Sequence, residues 1–97
     1  MSRFVINELV YDTDKMEHIG TVKKWCRNDL LSAIMHEERG MFKTHKLYRS
    51  AKGNYLLTYE DCGYIYAEAI QEGEAKKLLM TYDYDNYRKL FGDLEEA

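Results

Sequence analysis

The chain has no proline, only two cysteines, and no apolar run approaching the roughly 20 residues needed to span a bilayer. Each absence excludes something. Without proline no turn is set by a fixed φ, so chain reversals must rest on Gly, Asn and Asp. Cys26 and Cys62 form no CxxC pair, and a small secreted domain that needed covalent staples would carry more cysteines. Met1–Tyr11 lacks the basic stretch, continuous apolar run and small-residue cleavage site of a signal peptide. The expectation is a cytoplasmic protein with no membrane span.

Chemical motifs are lacking as well. There is no Gly-rich phosphate loop and no GxSxG. His36-Glu37-Glu38-Arg39-Gly40 begins like a zinc-protease helix but has no second histidine four residues on. His18, His36 and His45 are scattered rather than spaced for a tetrahedral metal site. The reading is non-enzymatic, with no catalytic residue, metal or cofactor. A Cys–His pair brought together by folding is the one nucleophilic arrangement left open, because such partners need only be close in space.

What is present is the composition of one folded domain, residues 1–97, with 45% hydrophobic and 32% charged residues. Nine tyrosines stand against three phenylalanines. Tyrosine suits half-wet positions, either on a thin sheet with an open face or on a contact surface. The net charge of −3 is unevenly spread: ten Lys/Arg against seven Asp/Glu up to Tyr59, then four against ten from Glu60 onward. Such a chain either pairs its halves internally or presents two electrostatically distinct faces.

Along the chain, Arg3–Tyr11 alternates like a strand, and Asp12-Thr13-Asp14-Lys15 reads as a turn. Met16–Trp25 is rich in Ile, Val and Thr, as a second strand would be. Lys46–Ser50 and Tyr55–Tyr59 flank Ala51-Lys52-Gly53-Asn54, a hairpin in which Gly53 supplies the positive φ. Tyr64–Ile70 follows as another strand. The period then changes. Ala75, Leu78, Leu79 and Tyr82 form one helical stripe, and Tyr87, Leu90, Phe91 and Leu94 a second. Between Cys26 and Phe42, Asn28 or Asp29 caps a helix with Leu30, Leu31, Ile34 and Met35 as its stripe and Gly40 as its stop. An irregular crossing or an extra strand competes with that reading. The fold class is therefore α+β: an antiparallel sheet of four to five strands with two C-terminal helices, and an inserted helix if the 26–42 reading holds.

Two segments are candidate binding surfaces. Tyr82, Asp83, Tyr84 and Asp85 alternate rigid aromatic anchors with carboxylates, as binding surfaces do. They would meet a protein partner with an Arg/Lys-rich groove. The competing role for them is helix capping and core contact. Lys46, Arg49 and Lys52, interleaved with Tyr48 and Tyr55, would instead meet phosphates while tyrosines stack on bases. The acidic balance of the whole chain speaks against a dedicated nucleic-acid-binding domain. Those cations also serve to solvate a hairpin edge.

Tyr11-Asp12-Thr13, Leu47-Tyr48-Arg49 with the Lys52-Gly53 turn and the Tyr55 strand, and Glu72-Gly73-Glu74-Ala75-Lys76 occur in an order that resembles a group of small bacterial and prophage proteins. Lys24–Thr44 departs from that pattern, being helix-like where a strand or loop is expected. The resemblance implies a mobile-element accessory protein. Proteins in that setting act as stoichiometric inhibitors of host defence, anti-CRISPR proteins among them, which would make the partner a nucleic-acid-binding defence complex. The alternative is a small nucleic-acid-binding regulator using the basic hairpin at 43–52.

Overall fold

Among the described residues, six strands and three α-helices follow one another as β1(Arg3–Ile6), β2(Leu9–Asp12), β3(Glu17–Arg27), α1(Asp29–Met35), β4(Gly40–Arg49), β5(Tyr55–Asp61), β6(Tyr64–Ile70), α2(Glu72–Tyr82) and α3(Tyr84–Phe91). The computed structural model describes residues 3–27, 29–37, 39–61 and 63–95. Asn28, one of the two caps considered for α1, and Cys62 lie outside them. The fold is α+β. A four-stranded antiparallel sheet in the order β3-β4-β5-β6 carries the molecule, and β1 and β2 form a separate two-stranded sheet.

The expected single strand Arg3–Tyr11 is a hairpin instead. Asn7 and Glu8 both take positive φ, 52° and 66°, which reverses the chain between Ile6 and Leu9. No glycine marks the turn, so alternation read across it looks continuous. The turn also switches parity: Phe4 pairs with Tyr11 and Ile6 with Leu9, leaving Val5 and Val10 exposed on the other side. At the next reversal the Asp12 carboxylate accepts the Asp14 N–H at 3.1 Å and opens a single 3-10 turn.

β3 and β4 form the long arm of the sheet, paired from Glu17↔Arg49 to Arg27↔Gly40. The register shifts between His18 and Gly20, a bulge that turns Ile19 into the core. The β4–β5 turn follows its sequence signal. Ser50 accepts the Gly53 N–H at 3.0 Å and its hydroxyl takes the Asn54 N–H at 3.0 Å, with Gly53 at φ 85°. The inserted helix exists and spans its expected stripe, but it ends before the expected stop. His36, at φ 56°, follows its last turn rather than Gly40, which starts β4. Ile34 and Met35 stand exposed. The Ser32 hydroxyl, by contrast, brackets the backbone of Arg39 and ties the end of the crossing to the helix.

Alternation gives the large sheet two faces. On one, Val22, Leu47, Tyr55 and Leu57 pack with Ile19 against Ala75 and Leu79 of α2 and Tyr87 of α3. Ala75 and Leu79 are the buried half of the predicted first stripe, while Tyr82 is exposed. Lys76 lies over the Phe91 ring at 4.9 Å and helps join α2 to α3. Gly20 is where α2 comes closest: a Cβ there would lie 2.5 Å from Leu79 Cδ2. On the opposite face Leu56 is fully buried, and the β1–β2 hairpin leans on β6.

Candidate functional site

The sheet has a lower end at the β4–β5 turn and an upper end at the β3–β4 and β5–β6 connections. α1 belongs to the upper end, in the β3–β4 connection, while α2 and α3 pack on one face of the sheet. Six exposed apolar side chains lie toward the upper end: Trp25, Phe42 and Ile65 on the face opposite α2 and α3, Met41, Tyr64 and Tyr66 on the same face as those helices.

The structure separates the four residues of the acidic segment. Asp83 is the joint between α2 and α3, with φ −149° and ψ 62°. Its Oδ2 accepts the Thr21 N–H at 3.2 Å and the Asn86 side-chain amide at 2.7 Å. Burial pushes its carboxyl up. The Asn86 amide, the Thr21 and Asn86 N–H groups and the Lys89 charge outweigh that and hold it below the usual carboxylate range. Asp83 is thus turned into the fold, holding the helix joint to β3. Tyr84 stacks on Tyr87 at 6.0 Å, and its hydroxyl accepts the Leu94 N–H at 3.1 Å. Tyr82 and Asp85 face solvent, Asp85 in the first turn of α3. The joint between two helices, not a loop, sets these directions.

The basic hairpin does not converge either. Period-two alternation puts Lys46 on the face away from the helices, while Arg49 and Tyr55 lie on the helix side. Arg49 pairs with Glu17 at 3.0 Å. Tyr55 is 4% exposed and belongs to the core, so its ring cannot stack on a base. Lys52 stands apart on the turn.

The structure does assemble a surface that the sequence reading missed. Trp25 and Phe42 are cross-strand partners, with ring centroids 5.5 Å apart in an edge-on arrangement. They are 44% and 57% exposed, on the face of the sheet opposite α2 and α3. Beside them runs a shallow groove lined by Thr21, Thr44, Lys46, Tyr48, Thr58 and Ile65. Lys23 and Lys46 point to this face, and among the described residues neither has a carboxylate partner. Asp14 and Glu60 stand at the groove's rim. The signal was available in the parity of Trp25 and Phe42, but it needed the β3–β4 register, which the 26–42 ambiguity hid.

Among the described residues no group of three or more His, Cys, Asp and Glu is placed to hold a metal ion. No helix among them is long and apolar enough to cross a membrane. The chain matches no family model, no characterised protein sequence and no solved structure.

Proposed function

We propose that this chain is a non-catalytic protein-binding module whose contact surface is the uncovered upper part of the sheet, anchored on Trp25 and Phe42. The observation that carries the reading is that edge-on aromatic pair, left open to solvent on an otherwise ordered sheet face. Leaving such rings in water forgoes about 25 cal/mol per Å² of apolar area. Tryptophan in particular is enriched among the few residues that dominate binding energy. Lys23 and Lys46 extend the surface with free positive charge, so the complementary partner face is apolar with an acidic margin.

A nucleic-acid reading draws on the same aromatics and lysines. Asp14 and Glu60, which line the same groove, weigh against a continuous run of phosphates along it, whereas a protein partner can confine its acidic groups to the side of Lys23 and Lys46. The resemblance to mobile-element proteins supports a partner among bacterial defence complexes, for which the chain would act as a stoichiometric inhibitor.

Trp25→Ala with Phe42→Ala is expected to weaken capture of the protein partner at least about 100-fold, since truncating hot-spot aromatics costs on the order of 2 kcal/mol each. Stability should fall by the roughly 0.5–1.5 kcal/mol of the pair contact and, in addition, by the burial that the half-covered rings lose, so the capture is normalised to the folded fraction. The measurement is quantitative pull-down from bacterial lysate with and without nuclease, alongside a thermal melt. A folded double variant that captures the same protein as tightly as the wild type would remove this surface from consideration. Capture that disappears with nuclease would favour the nucleic-acid reading.

A further inference from the structure

Across the helix-side face at the upper end runs a ladder of polar and aromatic groups that the binding surface does not use. Lys43 donates to Asp61 at 2.7 Å and lies 5.3 Å above the Tyr59 ring. His45 packs at 4.7 Å on Tyr59, which stacks in turn on Tyr66 at 5.0 Å. Burial, chiefly, and the neighbouring Cys26 push the Tyr59 hydroxyl above its ordinary range. At the edge of this ladder sits Cys26, half-buried on β3 and paired across the ladder with Met41, its sulfur 3.9 Å from His45 Nε2 on β4.

The imidazole's role follows from its contacts. His45 is 3% exposed. Its Nδ1 lies 2.8 Å from the Lys43 carbonyl oxygen. A carbonyl can only accept, so Nδ1 carries the proton and Nε2 of the neutral ring carries a lone pair. Among the described residues Nε2 has one hydrogen-bonding neighbour, the Cys26 sulfur at 3.9 Å. The thiol also lies 3.8 Å from the Lys24 carbonyl oxygen and within hydrogen-bonding reach of the Tyr59 hydroxyl. A partly open cysteine, an oriented buried base and a nearby ammonium are the surroundings in which thiols become nucleophilic, whereas an inert structural cysteine sits among apolar groups.

We propose that Cys26 is a reactive thiol, with His45 as its base, that forms a mixed disulfide with low-molecular-weight disulfides. The thiol proton passes to His45 Nε2 as the Cys26 sulfur attacks one sulfur of the small disulfide. The S–S bond of that molecule breaks, and its second sulfur leaves as a thiolate that takes the proton back from the imidazolium. Cys26 is oxidised to the mixed disulfide and one equivalent of small thiol is released. Cys26 and Trp25 are adjacent in β3 but point to opposite faces. The thiol chemistry is therefore separable from partner binding.

The test uses the full folded chain with two probes. With glutathione disulfide, peptide mapping of the wild-type protein is expected to place the adduct on Cys26. With dithiobis(2-nitrobenzoate) on the Cys62→Ser protein, reaction near pH 6.5 is expected to be at least about tenfold faster in the native state than in urea, because only the folded chain provides the base. His45→Asn should bring the native rate down to the urea rate. An adduct confined to Cys62, a native thiol slower than the unfolded one, or a folded His45→Asn protein with the rate unchanged would each overturn the proposal. If His45→Asn does not fold, the comparison of native with unfolded Cys62→Ser protein decides alone.

Discussion

Gly20→Ala is expected to destabilise the folded state by about 1–3 kcal/mol, the usual range for forcing an extra carbon into a packed site. The new Cβ would stand 2.5 Å from Leu79 Cδ2 and 3.1 Å from Asp83 Oδ2. Leu79→Ala is expected to cost about 2–5 kcal/mol, because Leu79 is fully buried where α2 meets the sheet. The two changes should not add. Leu79→Ala removes the atom that the Gly20→Ala methyl would strike, so the double variant should lose at least roughly 0.5 kcal/mol less than the sum of the single losses. Urea melts of the four proteins measure the coupling directly. Strict additivity would mean that α2 does not rest on β3 at Gly20.

Asp83→Lys and Asp85→Lys should part company, although the residues are two apart and alike in sequence. Asp83→Lys removes the acceptor of the Thr21 N–H and of the Asn86 amide and brings an ammonium against Gly20. A loss of about 1–3 kcal/mol follows from leaving such donors unpaired. Asp85→Lys gives up only a favourable charge near the start of α3, worth about 0.3–1 kcal/mol. Acid should report the same difference. The folded-state pKa of Asp83 lies below its unfolded value, so its contribution to stability is fully present above the unfolded value and drains away as pH falls through the folded one. Melts taken downward from about pH 5 should therefore show a shallower loss for Asp83→Asn than for the wild type. An identical acid limb in both would mean that the carboxylate does not hold the joint. Binding losses at Asp83 must be normalised to these melts before they are assigned to a partner surface.

Several elements were legible because their signals are local. The turn around Gly53 needs a residue tolerant of positive φ, and the strands beside it are β-prone on both sides. The stripes Ala75–Tyr82 and Tyr87–Leu94 are helical in period, and helices form there, except that α3 ends at Phe91 and leaves Leu94 outside it and exposed. The β1–β2 hairpin was illegible because Asn7 and Glu8 make its turn without glycine. Likewise the stop of α1 falls on His36, which takes the left-handed conformation more readily than most non-glycine residues but far less than glycine, and not on the glycine that looked made for it.

By itself, then, the sequence determined the elements whose information lies within one turn or one period: the α+β class, the central hairpin, the last strand and the two C-terminal helices. Only the tertiary structure decided which side chains meet. Tyr82, Asp83, Tyr84 and Asp85 are neighbours in the chain, but the helix joint sends Asp83 inward and Asp85 outward. Lys46 and Tyr55 look like one binding strip, yet strand pleating puts them on opposite faces and the core claims the tyrosine. Trp25 and Phe42 come from different strands and are joined by the β3–β4 register, whereas that register pairs Cys26 with Met41 and His45 with Val22, so Cys26 and His45 meet only by their side chains reaching along the strands. Register is set by the summed burial of whole strands against the helices, a quantity no short window of sequence contains.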